Sequence, residues 1–160
     1  MEKKDLDWGN IGFSYMPTDK RYVANYKDGA WDEGGMTSDP NVVINECAGI
    51  LQYCQEIFEG LKAYTTEDGS IVTFRPDLNA ERMTDSARRL EMPPFPKERF
   101  LEAVDQVVKA NAAWVPPFGS GATLYLRPYM FATGPVIGVK PSQEYQFRLF
   151  GTPVGPYFKG

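Results

Sequence analysis

The chain has 160 residues, 42% of them apolar and 24% charged, which fits one soluble globular domain with room for a substantial core. Its formal net charge of −4 argues against nucleic acid as the main partner, because binding a phosphate backbone rests on clustered Lys and Arg. There is no histidine, which removes Ser-His-Asp and Cys-His triads, HExxH zinc sites and imidazole acid–base chemistry. Any chemistry then falls to carboxylates, tyrosines, lysines, arginines or a bound cofactor.

No apolar run reaches the roughly eighteen residues of a membrane span. The N-terminal MEKKDLDWGN lacks the apolar middle of a signal peptide. A cytoplasmic protein without membrane or metal partners is the expectation. Cys47 and Cys54, with no repeated spacing, read as buried reduced thiols.

In chain order, residues 1–20 read as an extended arm anchored by Phe13 and Tyr15. Arg21–Gly35 alternates Tyr22, Ala24 and Tyr26 around Asp28-Gly29 and predicts a β-hairpin. Asn41–Tyr53 begins as a short apolar strand and passes into a helical turn near Ala48–Tyr53. Phe58–Tyr64 and Ser70–Phe74 predict a second hairpin turning at Asp68-Gly69.

Pro76 suits a first helical position, and Met83, Ser86, Ala87 and Leu90 recur on one helix face. Met92–Pro96 stops that helix. Lys97–Val115 predicts a second helix with Phe100, Leu101, Val104, Val107 and Val108 inward. After a loop at Trp114–Gly121, Ala122–Thr133 alternates Thr123, Tyr125, Arg127 and Tyr129 against Leu124 and Leu126. Pro128 argues for an edge or a break there.

Gly134–Ser142 reads as a loop, Glu144–Phe150 as a last strand and Gly151–Gly160 as a Gly/Pro-rich exit. Strands, then helices, then strands point to an α+β fold: a mainly antiparallel sheet with two principal helices. The expected division is a domain over 1–153 and the start of a linker over 154–160, cut partway.

Several residues are more particular than a fold requires. Arg82 lies near the start of its helix, where guanidinium and helix dipole together suit a phosphate. A solvated arginine pairing with Glu81 or Asp85 is the competing reading. Tyr125 and Arg127 share a hydroxyl-rich strand face that suits a carboxylate, against ordinary edge-strand alternation. Tyr53 and Phe58 bracket a turn, where aromatics are more often core than ligand contacts. Ile137 and Val139 occupy a Gly/Pro loop where apolar side chains need something to cover. Lys159 is set aside as a Schiff-base lysine, because such a lysine must be desolvated and this one sits beside Gly160.

The runs FEGLKAY, FRPDLNAERM..SARRLEMP, YLRP and VGPYF, in this order, resemble the N-terminal part of branched-chain amino-acid aminotransferases. These are pyridoxal-phosphate enzymes of fold type IV. The resemblance runs from about Phe13 to Gly160 and implies roles residue by residue. Arg82 matches the arginine that holds the cofactor phosphate. Phe13, Tyr53, Phe58 and Tyr125 match aromatic walls of the substrate pocket, and Gly60 a glycine that lets substrate approach the backbone. Arg127 matches an arginine of carboxylate recognition. Ile137 and Val139 match apolar residues sent into a neighbouring subunit's pocket, and Tyr157 a tyrosine of the interdomain linker.

The family's Schiff-base lysine and the acidic partner of the pyridine nitrogen lie in a second domain, so no residue of this chain matches a catalytic one. The resemblance implies amino transfer between leucine, isoleucine or valine and 2-oxoglutarate by a homodimer, with this part inactive alone. D-amino-acid aminotransferase and aminodeoxychorismate lyase are related alternatives. A non-catalytic association module is an alternative of another class.

Overall fold

The computed structural model describes residues 2–156. In chain order the elements are β1 (Arg21–Lys27), β2 (Ala30–Trp31), β3 (Gly35–Thr37), α1 (Gly49–Tyr53), β4 (Glu56–Phe58), β5 (Leu61–Thr65) and β6 (Ile71–Thr73). Then follow α2 (Pro76–Arg89), α3 (Lys97–Ala110), β7 (Thr123–Ala132) and β8 (Tyr145–Val154). The strands form one sheet in the order β2-β1-β8-β7-β5-β6, with β3 on β1 and β4 on β7. All recorded strand pairs are antiparallel, so the α+β expectation holds.

Alternation on β1, β7 and β8 puts Tyr22, Ala24, Leu124, Leu126, Phe147 and Leu149 on one buried face. The core there is completed by Ala80, Met83 and Ala87 from α2 and by Phe100, Ala103, Val104 and Val107 from α3. Phe95, held in the proline-rich stretch between the helices, stacks on Phe147 with ring centroids 3.9 Å apart. Burying side chains of this size contributes on the order of 2 kcal/mol each. The other sheet face carries Tyr125, Arg127 and Tyr129, and it is this face that the candidate site uses.

The Asp28-Gly29 turn forms with both residues at positive φ, the geometry a two-residue hairpin needs. Pro76 opens α2 as its first residue. Several expectations change. Leu90 caps α2 and is exposed, and Ala80 takes its place on the buried face. No strand forms at 41–45 and Val43 lies open to solvent, because β2 and β3 already occupy that edge of β1. The second helix ends at Ala110. There the buried Asn111 accepts from the Lys20 N–H at 2.9 Å and donates to the Lys20 and Val107 carbonyls, both at 2.8 Å.

β8 continues through Gly151 and Pro153 to Val154, its whole length paired with β7. The exit segment is therefore partly strand. Cys47 and Cys54 are free thiols, the first half-buried and the second exposed, so the expectation of buried thiols fails for Cys54. It ends α1 in the left-handed conformation, φ 53°.

Pro128 is neither at an edge nor at a break in its own strand. It is fully buried in the middle of β7, between β8 and the β4/β5 side. It accepts from the Glu59 N–H at 2.8 Å and, having no N–H, returns nothing. β4 pairs Phe58 with Tyr129 and β5 pairs Leu61 with Leu126, so both keep one register. The proline interrupts its neighbour instead, splitting the expected strand at Glu59-Gly60.

Candidate functional site

That interruption builds the site. Phe58 ends β4 at its edge, Gly60 lies within it just before β5, and Tyr125 and Arg127 face it from β7. The Arg127 guanidinium lies 4.3 Å from the Phe58 ring centroid, and its Nη2 and Nε donate to the Tyr125 hydroxyl at 3.0 and 3.3 Å. Phe13, from the N-terminal arm, brings its ring to 6.3 Å from that of Tyr125. A Cβ at Gly60 would overlap the Tyr125 hydroxyl, so only glycine admits this approach. Gly60, Asn79, Phe74 and Tyr125 line a cavity of about 280 Å3.

Between Phe58 and Gly60, Glu59 turns the other way and is 3% exposed. Its carboxylate accepts from Arg82 Nε and Nη2, both at 2.7 Å, and from Asn79 Nδ2 at 2.9 Å. Asn79 also donates to the Gly60 carbonyl at 3.2 Å. The partner of Arg82 is thus Glu59, rather than Glu81 or Asp85; these pair with Lys97 and Arg88. The bond from Glu59 holds the Arg82 guanidinium firmly in its charged form. The Arg82 side chain remains 68% exposed, and its Nη1 makes no hydrogen bond among the described residues.

Sequence reasoning missed Glu59. A signal existed: it falls on the inward side of the strand, in line with Ile57, Leu61 and Ala63, and an acid there requires a buried partner. Asn79 and Arg82, three apart on α2, are the pair that can supply it.

Tyr53, Ile137 and Val139 form a second group. The Tyr53 hydroxyl donates to the Ile137 carbonyl, and Tyr53 and Val139 line the same open cleft with Leu90. The Ile137 and Val139 side chains point to solvent, 76% and 89% exposed. Tyr157 and Lys159 lie outside the described residues. Among those described, no cluster of acidic or sulfur ligands could hold a metal, and no helix is long and apolar enough to cross a membrane.

Comparison with solved structures shows the fold. A branched-chain aminotransferase from Thermoproteus uzoniensis, solved with norvaline, superposes with a TM-score of 0.71 over 89% of this chain and 43% of its own, at 22% identity. One from Escherichia coli gives 0.63 over 85% and 41%, at 21% identity. The architecture is that of the small domain of the fold type IV aminotransferases.

The sequence narrows this. The chain is 56% identical over 157 residues to a branched-chain-amino-acid aminotransferase of Haemophilus influenzae, and 48% identical over 157 residues to one of Helicobacter pylori. Each match takes in 98% of this chain and 46% of the relative. The chain therefore stands with the branched-chain aminotransferases, as the counterpart of their N-terminal part. It spans under half the length of the curated relatives it matches. No family model matches it.

Proposed function

We propose that this chain is the small-domain portion of a pyridoxal-phosphate-dependent branched-chain aminotransferase, moving amino groups between leucine, isoleucine or valine and 2-oxoglutarate. The observation that carries the reading is the 56% identity across nearly the entire chain, joined to the Phe58–Arg127–Tyr125–Gly60 cluster. The protein is read as a cytoplasmic homodimer, with residues 1–153 as the domain and 154–160 as the start of a linker.

When bound, pyridoxal phosphate supplies the electron sink for the substrate's α-carbon. The residues fit such a group at one point: Arg82 is fixed by Glu59 on one edge of its guanidinium, and leaves Nη1 and an exposed face for a phosphate. Phe13, Phe58 and Tyr125 wall the substrate side with apolar surface, and Gly60 lets a group pass close to the backbone. Tyr53 closes the second group. Arg127, oriented by Tyr125 and stacked on Phe58, offers its remaining N–H groups to the second carboxylate of glutamate or 2-oxoglutarate. Ile137 and Val139 serve a neighbouring subunit's pocket.

Two experiments test this. A protein carrying this chain at its N-terminus should transfer the amino group of leucine to 2-oxoglutarate, while the 160 residues alone should not. Failure with every branched-chain amino acid, or a preference for D-amino acids, overturns the assignment. In the same protein, Arg82→Ala should weaken cofactor binding by roughly 1.5–3 kcal/mol, the size of a charge-assisted hydrogen bond. Cofactor affinity is read by absorbance; an unchanged value removes Arg82 from the phosphate site.

A further inference from the structure

A second cavity, of about 460 Å3, lies farther along the same sheet face and shares no residue with the Gly60–Tyr125 cavity. Tyr15, Tyr129 and Phe150 supply ring walls, and Arg21 and Arg148 line it beside them. Both arginines are buried, 3% and 6% exposed, yet neither has an ion pair among the described residues. Arg21 Nη2 donates to the Thr18 carbonyl at 3.0 Å, and Nη1 to the Ser38 carbonyl. Arg148 donates to Gln146 Oε1 at 3.1 Å and to the Asp39 carbonyl at 3.2 Å.

All four acceptors are neutral. The carboxylate whose field reaches both arginines is that of Asp39, and its Oδ1 is taken by Asn41, whose N–H and Nδ2 donate at 2.9 and 2.8 Å. Two buried guanidinium charges that line one cavity, with no direct ion pair among the described residues and the exposed Asp39 carboxylate acting on them only through its field, are a costly arrangement. Loop bracing alone needs donors, not charge. Arg148 also acts on the Tyr129 phenol, favouring its anion against the stronger opposing effect of burial. The cavity thus joins unspent positive charge, a phenol and apolar ring walls.

We infer that this cavity binds a carboxylate, with Arg148 and Tyr129 as its direct contacts, Arg21 adding field, and the rings holding a short apolar stem. The carboxylate belongs either to a small dicarboxylic acid or to an acidic side chain of a protein surface laid on this face. The inference does not depend on the aminotransferase reading.

The test uses the 160-residue chain carrying Ile137→Ser and Val139→Ser, so that contacts made by that loop do not intervene. Glutarate, at constant ionic strength, should raise the melting temperature saturably, and the uncharged glutaramide should not. Arg148→Gln should weaken glutarate binding roughly tenfold or more, Arg148→Lys should restore part of it, and Arg88→Gln, an exposed arginine of α2 outside both cavities, should leave it unchanged. Arg21 is left in place because it ties two loop carbonyls. If the carboxylate comes from protein, the chain self-associates in sedimentation, and both glutarate and Arg148→Gln disperse it. Glutarate binding that survives Arg148→Gln overturns the inference. So does a chain that neither binds glutarate nor self-associates through Arg148.

Discussion

The carboxylate of Glu59 meets Arg82 edge to edge, two bonds of 2.7 Å joining a strand interruption to the face of α2. The acid is buried and the arginine largely exposed, so the two ends of the pair are unequal. Removing the arginine strands a buried negative charge, whereas neutralising the acid releases a cation that water can reach.

Arg82→Ala should therefore destabilise the chain by about 2–4 kcal/mol, and Glu59→Gln by about 1–2 kcal/mol. Urea unfolding of both single variants and of the double variant measures the coupling. Equal losses for the two singles would show that Glu59 is better solvated than its burial implies.

Gly60 is a steric prediction. Gly60→Ala drives a methyl into the Tyr125 hydroxyl and should cost roughly 1–3 kcal/mol, the usual range for overpacking. Tyr125→Phe removes the nearest atom and should recover part of that loss. Additive losses in the double variant would place the conflict elsewhere. The same substitution also frees Arg127 from its hydroxyl partner, so Tyr125→Phe alone should loosen Arg127.

For Arg127 the expected effect is on substrate choice. In a protein carrying this chain, Arg127→Gln should lower kcat/KM for glutamate and 2-oxoglutarate more than for leucine, by roughly tenfold for one lost charge-assisted bond. Equal losses for all substrates would leave Arg127 a support for Tyr125 and Phe58.

What the sequence made legible was local. The Asp28-Gly29 turn, the Pro76 start of α2 and the alternation of β7 each need only near neighbours in the chain and the period of one element. Phe58, Tyr125 and Arg127 were singled out from the residues and Gly60 through the family resemblance alone, and the four meet in space. The inward position of Glu59 was a signal that went unread, but its pairing with Arg82 depends on which turn of α2 packs over which strand residue. Pro128 was misread for the same reason. Its missing N–H shows up in the neighbouring strand, and no pattern within Ala122–Thr133 reports that. Asn41–Asn45 has strand-like residues, but an edge that other strands have filled leaves them no ladder.

The start of α2 makes a pH prediction. Arg75 precedes the helix at φ 46°, and hydrogen bonds from its guanidinium hold the Asp77 carboxyl at about 2, below its ordinary value of 3.8. A depressed folded value means the Asp77 contribution is complete above about pH 4 and fades as pH falls toward 2. A carbon-detected titration should put the Asp77 midpoint near the lower value, and Arg75→Gln should return it toward the ordinary one. An unshifted midpoint in the parent would show that the exposed pair is loosely formed.

Association gives the last prediction. Ile137 and Val139 stand largely in solvent while the chain on either side is held in place: the Ile137 carbonyl accepts from Tyr53, the Val136 N–H donates to the Cys47 carbonyl at 2.9 Å, and beyond the tip the Ser142 N–H donates to Gln55 Oε1 at 3.2 Å. A loop fixed at its base and apolar at its tip presents its side chains rather than folding them away, and apolar surface presented in this way is commonly a contact site. The isolated chain should therefore self-associate in a concentration-dependent manner, with Ile137→Ser, Val139→Ser shifting the equilibrium toward monomer. Burying two aliphatic side chains contributes about 3–5 kcal/mol at most, so the parent should be a weak dimer. Sedimentation equilibrium at several concentrations measures this. A monomeric parent sinks the idea, and so does a dimer indifferent to the double change. In that second case the contact lies on the face of Tyr129 and Arg148, where the glutarate experiment would find it.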